Sequence, residues 1–505
     1  MRNKAALAVV LAILSAGCPS RLERKVGPTL QTVDMEAPYL KCHMKSGDLY
    51  VLTRWQIDEV HKQIVGAGEL HGTDRRVESR ETYRVNFADV ALFETNTVVT
   101  SPAVAGLAVI AGLSAVVTIA CIANPKACFG SCPTFYAPDD HGGRSVLQAE
   151  GFSDAISPAL ETNDIDALWR TTGRPGAFTL TMTNEAYETH VVKRADLLAV
   201  SRPRGGRVLA DATTLWTASR ISQPNACTAA EGDCLARVRA VDTDERTSLT
   251  DEHDLAARET IELAFPPATG AQQALVVGAR QSLVTTFLLY QGLAYLGTTA
   301  TSWLAAFERG EFAAREGGRK LQKLVGAIEV QLERDGVWET VGEAYETGPL
   351  ATDVHLVMLP PGASGERVRL LLPRGGWRID SVALATITGK AAPIRLAPTT
   401  IRGTISKDYN GGRTAATTFP IVTMPGDRYE FGYTLPPGAE YELFLDSRGY
   451  YLEWMREEWM KEEDPISAFR MFITPEQMLK ELAPAYKKLE PKAEELFWRS
   501  RYAHP

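Results

Sequence analysis

Two short groupings in this 505-residue chain combine acidic residues with histidine at a spacing that could do chemistry. In Asn184-Glu-Ala-Tyr-Glu-Thr-His190, Glu188 and His190 stand two residues apart. On a strand that spacing puts both on one face, where a carboxylate and an imidazole could act as an acid/base pair, with Glu185 close by. In the second grouping, Asp139, Asp140 and His141 run into Gly142-Gly143, a turn that could hold calcium or a polar ligand; an ordinary turn is the plainer reading. Asp251-Glu-His253-Asp254 also offers ligand types. Consecutive residues point in different directions on any regular element, so it reads as a solvated loop. No Gly-x-Ser-x-Gly elbow is present, and no glycine-rich loop ends in Gly-Lys-Ser or Gly-Lys-Thr. Gly66-Ala-Gly68 lacks the following helix that a dinucleotide site requires. The sequence therefore gives no catalytic set, no metal set and no cofactor.

The seven cysteines say more about location. Residues 1–18 have the plan of an export signal: a basic start at Arg2 and Lys4, an apolar core from Ala5 to Leu14, and Ser15-Ala-Gly before Cys18. Small residues ahead of that cysteine resemble the lipobox of bacterial lipoproteins, with Ser15 where Leu is commonest. Cys18 would then carry the acyl chains and become the first residue of the mature protein. Each buried methylene contributes about 0.8 kcal/mol, so several chains on one cysteine would anchor it firmly. Of the remaining Cys42, Cys121, Cys128, Cys132, Cys227 and Cys234, nearness in sequence favours two disulfides, Cys128 with Cys132 and Cys227 with Cys234, as an oxidising compartment permits. The three-residue gap between Cys128 and Cys132 does not suit zinc or redox work.

The elements that must position these residues are mainly strands. Hydrophobic residues make up 45% and charged residues 23%, with a net charge of −8. That balance is ordinary for globular protein and excludes a nucleic-acid surface. The expected fold class is mainly β with helical insertions. Residues 36–97 alternate as the strands of a small N-terminal β-barrel. Residues 101–124 form an apolar helix, with Ala103 to Ala123 free of charge and long enough to cross a bilayer. A β-rich domain follows at 128–270 and a helical insertion at 281–328, where Leu283, Phe287, Tyr290, Leu293, Leu296, Trp303, Leu304 and Phe307 recur at helical steps. A β-sandwich-like segment is expected at 329–400, with Asp335-Gly336 as a hairpin turn, and a β-rich segment at 401–449. Residues 450–505 read as a helical tail. In it Tyr451, Met455 and Trp459 share a face, and Pro484 and Pro491 kink or break the last helix. Pro373-Arg-Gly-Gly376 echoes Pro203-Arg-Gly-Gly206, either as a duplicated sandwich or as a favoured turn.

A resemblance runs along much of the chain. It is carried by Cys128-Phe-Gly-Ser-Cys-Pro-Thr-Phe-Tyr136, Ala149-Glu-Gly-Phe152, Asn184 to His190, Ala195-Asp-Leu-Leu-Ala199, Glu343-Ala-Tyr-Glu-Thr-Gly-Pro-Leu350 and Trp377-Arg-Ile-Asp-Ser-Val-Ala-Leu384. These segments resemble a family of uncharacterised bacterial envelope lipoproteins in which a strand pair follows a membrane-like segment. The chain departs from it at Asp139-Asp140-His141, where relatives carry an aromatic-Asp-Gly turn. The resemblance implies location and architecture, and no activity. A lipidated Cys18 followed by a full membrane crossing would put the later cysteines in the cytosol, so the whole mature chain is expected to stay exported. The expectation is a membrane-anchored envelope lipoprotein that binds or scaffolds without catalysis. Its partners would be membrane lipid, through Cys18 and residues 103–123, and an envelope protein or glycan. The alternative is a glycan-hydrolase-like enzyme on cell-surface polymers, which requires a cleft with two carboxylates roughly 5 to 10 Å apart.

Overall fold

A computed structural model of the chain describes residues 20–27, 29–44, 48–71, 77–100, 132–140, 142–153, 155, 161–186, 188–211, 214–267, 272–297, 324–344, 348–363, 365–407, 413–453 and 463–500. The expected signal with Cys18, the apolar run 103–123, Cys121, Cys128, His141, residues 298–323 of the expected helical insertion, and Met455 and Trp459 of the expected tail lie outside these. The chain divides into two compact units, Met1–Leu113 and Ser114–Pro505. No helix among the described residues is long and apolar enough to cross a membrane.

The first unit is one antiparallel sheet. Its strands are β1 (Ser20–Gly27), β2 (Tyr39–Met44), β3 (Leu49–Asp58), β4 (Gln63–His71), β5 (Val77–Asn86) and β6 (Val90–Thr100), in spatial order β1-β6-β2-β3-β4-β5. Alternation on β2 explains its core. Leu40 and Cys42 point inward with Leu52, Ile64, Val85 and Phe93, while Lys41 and His43 reach the Glu94 carboxylate at 2.9 and 2.8 Å. Burial pushes the Cys42 thiol up to about 12, so it is a packing residue and not a nucleophile. Gly66 and Gly68 lie inside β4, as the absence of a following helix implies. A side chain on Gly68 would meet the Val51 carbonyl oxygen at 2.0 Å.

The second unit is mainly β with helices at one side. It runs β7 (Thr134–Pro138), β8 (Ser145–Glu150), β9 (Thr162–Gly173), β10 (Gly176–Thr183), β11 (Glu188–Ser201), β12 (Arg207–Ala210), β13 (Leu215–Ser222), β14 (Ala226–Ala229), β15 (Gly232–Asp233), β16 (Arg258–Ala264), β17 (Gln273–Gln281) and α1 (Leu283–Leu296). It continues with β18 (Ile328–Arg334), β19 (Val337–Ala344), β20 (Asp353–Met358), β21 (Arg367–Pro373), β22 (Trp377–Lys390), β23 (Ile394–Leu396), β24 (Thr400–Thr404), β25 (Ile421–Thr423), β26 (Arg428–Leu435), β27 (Tyr441–Glu453), α2 (Pro465–Ile473) and α3 (Pro475–Ser500).

Four sheets result: β24-β26-β10-β7-β8; β23-β11-β27-β9 with β25 also on β11; β12-β13-β22-β17-β20; and β15-β14-β16-β21-β18-β19. Shared apolar clusters link the sheets in that order. Phe135, Leu180, Phe431, Leu197 and Leu445 join the first to the second. Leu198, Val200, Phe444, Val276 and Ala385 join the second to the third. Leu275, Val277, Leu384, Ile261 and Leu370 join the third to the fourth. Strands of the two middle sheets are therefore apolar on both faces: Leu197 and Ala199 face one cluster, and Leu198 and Val200 face the other.

The segments expected at 128–270, 329–400 and 401–449 interleave within these sheets, since β10 pairs β26, β11 pairs β27 and β16 pairs β21. The two Pro-Arg-Gly-Gly stretches are equivalent turns. Gly206 N donates to Pro203 O at 3.1 Å and Gly376 N to Pro373 O at 3.0 Å, with Gly205 and Gly375 at φ +70° and +72°. Each passes the chain from one sheet to its neighbour, β11 to β12 and β21 to β22. Asp335 and Gly336 make the hairpin turn, both at positive φ as a type I′ turn requires.

The helical tail needs two corrections. Tyr450 to Glu453 belong to β27, where Glu188 of β11 pairs with Glu453 and His190 with Tyr451, so helix begins only at Pro465 among the described residues. The four-residue spacing from Tyr451 was a weaker constraint than the backbone groups of β11 that needed a partner. The second correction is that Pro484 and Pro491 do not break the last helix, since α3 is continuous from Pro475 to Ser500. Both prolines are exposed, so the carbonyls they leave without a helical partner can meet water, while Leu482, Tyr486, Leu489 and Phe497 stay buried.

Candidate functional site

The Glu188–His190 pair forms as its spacing predicts. β11 begins at Glu188, both side chains fall on one face, and His190 Nε2 lies 2.7 Å from Glu188 Oε1. Just upstream, Glu185 Oε1 accepts from Tyr136 Oη at 2.6 Å, Thr183 Oγ1 at 2.6 Å and Thr134 Oγ1 at 3.1 Å. Asn184 closes the turn between the sheets, donating to Glu188 O at 2.9 Å and Thr423 Oγ1 at 3.2 Å. Glu188 and His190 are 0% exposed and Glu185 is 1% exposed, so solvent and substrate are kept from them. A buried network of this kind fixes how the first sheet passes to the second.

Asp139 and Asp140 lie at the far end of β7 from Thr134, roughly 16 Å away along an extended strand. They brace the turn against β9. Arg170 Nη2 donates to Asp139 Oδ2 at 2.6 Å, the Thr172 amide to Asp140 Oδ2 at 2.8 Å, and Arg174 Nη1 to Asp140 Oδ1 at 3.3 Å. The acids of the turn and the Glu188–His190 pair are separate features. Asp251 makes a local turn of its own, accepting from the amides of His253 and Asp254 at 2.9 and 3.1 Å. No group of three or more His, Cys, Asp or Glu side chains among the described residues is placed to hold a metal.

Cys227 and Cys234 are disulfide-bonded. Cys132 is buried, its Sγ 3.5 Å from Ser153 O, and the other half of its expected pair lies outside the described residues. The Cys227–Cys234 loop presents Glu231, which grips Arg246 with two hydrogen bonds of 2.7 and 2.8 Å. Glu259 takes the other side of the same guanidinium at 2.7 and 2.8 Å. Arg246 is 1% exposed and so carries its charge fully compensated. Nothing local in the sequence marks it, because both partners come from other segments.

A cleft of about 70 Å³ lies between α3 and β22, lined in part by Ser248, Trp377, Arg378, Tyr486, Glu490 and Glu494. Glu490 and Glu494 stand one helical turn apart on α3, a spacing visible in the sequence but not singled out there. Each is already engaged. Glu490 accepts from the Thr250 amide at 2.6 Å and from Lys487 Nζ at 2.9 Å. Glu494 accepts from Arg280 at 2.8 Å and also pairs with Arg378. Sites for organic ligands usually enclose about 300 to 1,000 Å³, so this cleft suits a few waters and not a sugar ring. Its ion pairs lock α3 onto the third sheet.

No family model matches the chain, and no curated protein matches it. Among solved structures, the secreted serine protease VesC from Vibrio cholerae aligns over 70% of this chain and 97% of its own, at 8% identity and a TM-score of 0.11. A Salmonella alpha-2-macroglobulin mutant aligns over 79% of this chain and 34% of its own, at 8% identity and a TM-score of 0.10. At these scores neither likeness bears on the fold or chemistry of this chain.

Proposed function

We propose that this chain is an exported, lipid-anchored protein of a bacterial envelope that binds a protein or glycan, or scaffolds an assembly, without catalysis. The observation that carries the reading is the Cys227–Cys234 disulfide within a β-rich unit, because such bonds persist where the surroundings are oxidising. It agrees with the lipobox-like Ser15-Ala-Gly-Cys18, whose cysteine would be acylated, and with an apolar run at 103–123 that keeps the chain near lipid. In this reading the first unit is a small barrel and the second a set of stacked sandwiches. The binding surface is the outer face of the fourth sheet. There the Trp338 ring lies 4.5 Å from the Arg369 guanidinium and 5.6 Å from that of Arg367, a flat aromatic bordered by charge that suits a polar partner. The hydrolase alternative has no such support, since the carboxylates of the α3 cleft are committed to neighbours.

The test is Cys18→Ser in the bacterial host. The expected result is loss of palmitate labelling and movement of the protein from the membrane fraction to the soluble fraction. Unchanged labelling and fractionation would remove the anchor from this reading.

A further inference from the structure

Three sheets end on the same spot. β8 is the last strand of the first sheet, β9 of the second and β20 of the third, and β9 packs against both of the others. Each brings acid: Glu150 from β8, Asp164 and Asp166 from β9, and Asp353 from β20. All four are tied to backbone amides, Asp166 to that of Glu150. Glu150 Oε2 accepts from the amides of Leu350 and Ala351 at 2.8 and 3.2 Å. Asp164 Oδ2 accepts from the Phe152 amide at 2.7 Å, and Asp353 Oδ1 from its neighbour Val354 at 2.7 Å. Glu150 and Asp166 are both buried, 3% and 6% exposed, and no protein group donates to Asp166 Oδ2.

The cations on the surrounding strands are spent elsewhere. Arg170 of β9 serves Asp139, and Arg194 and Arg395 hold Asp446 of β27. Arg207 of β12 holds Glu442 of β27, and Arg448 of β27 holds Glu161. On β7 the Tyr136 phenol serves Glu185. His355 of β20, 3.5 Å from Asp353, is the basic member of the set.

We propose that this three-edge seam is a proton-dependent latch: it closes with Asp166 in its neutral, protonated form, and releasing that proton loosens β9 from β8 and β20. A carboxylate here would sit buried among three like charges, without a donor for its second oxygen. Burial first, then the charges of Asp164, Asp353 and Glu150, holds the Asp166 carboxyl well above the usual carboxylate range, while the Glu150 amide pulls the other way. The folded chain thus keeps a proton that the unfolded chain gives up. The stabilisation is complete below the ordinary carboxylate value of 3.8 and is lost as pH rises through the higher folded value.

The test compares denaturant unfolding of the full-length wild type and Asp166→Asn at stepped pH, with hydrogen exchange read over 162–173 and 353–358. Asn is a neutral isostere, so the variant should lack one proton's worth of pH dependence. The wild-type folding constant should fall relative to the variant by up to about tenfold per pH unit within the window. Protection of both strands should fall with rising pH in the wild type alone, after correction for intrinsic exchange. Asp353→Asn is the second variant: with one repelling charge gone, the fall should end at lower pH. Identical pH profiles for wild type and Asp166→Asn would overturn the proposal. So would calcium abolishing the slope in the wild type, which would assign the acids to a cation.

Discussion

Asp380 on β22 shows what burial does to a side chain in this protein. It is 0% exposed and accepts from the amides of Asp242 and Thr243 at 3.3 and 3.0 Å, holding Thr243 at φ +74°, a conformation β-branched residues avoid. Burial first, with the charges of Glu245 and Asp242 adding to it, raises its carboxyl from 3.8 to about 6 against the pull of those two amides. The folded state therefore holds the proton more tightly than the unfolded state. The contribution is complete below 3.8 and is lost as pH rises through about 6. Asp380→Asn should flatten that part of the profile. Urea unfolding at pH 4 and pH 7 should show the wild type losing on the order of 2 kcal/mol more than the variant. Residues of this kind were not legible in the sequence. Glu188 and His190 were, because two-residue spacing within one strand is a local fact. Asp380 owes its character to burial and to Asp242 and Glu245 on a loop far earlier in the chain, and Asp166 to burial and to acids that include Asp353 on a distant strand.

Among the elements, the Cys227–Cys234 loop is the one whose two roles follow from its closure. It shortens the unfolded chain's freedom across a sequence separation of 7, and it aims Glu231 at Arg246. Closing so short a loop contributes about 2 to 3 kcal/mol. Reduction with dithiothreitol should lower unfolding stability by that amount, and Cys227→Ala with Cys234→Ala should reproduce the loss and become insensitive to the reductant. This clip was legible because nearness in sequence favoured it, as was the Asp335-Gly336 turn, where the backbone angles demand those residue types. Tyr450 to Glu453 misled for the opposite reason. A four-residue aromatic spacing suits a helix, and only the waiting edge of β11, more than two hundred residues earlier, decides for strand.

At the scale of the whole second unit, the mainly β class was legible from alternation and turn residues, but the order of the four sheets was not. Their partners are non-local: β11 pairs with β27 and β10 with β26. The runs Leu197 to Val200 and Ala274 to Val277, apolar at every position, were the available sign of strands covered on both faces. β27 lies between β11 and β9, so a chain ending at residue 440 should lose the second sheet and with it the floor of two cores. Limited proteolysis of that truncated chain should cut within 162–201, a region expected to resist in the intact protein; equal resistance would mean that the sheet closes without β27.

β27, which sits between β11 and β9, is made after every other strand of the four sheets. Until it leaves the ribosome, β11 and β9 have no strand to join them, while the third and fourth sheets, which hold nothing later than β22, can already close. The second sheet is therefore the one whose closure waits on a late strand, and the two cores it shares with its neighbours wait with it.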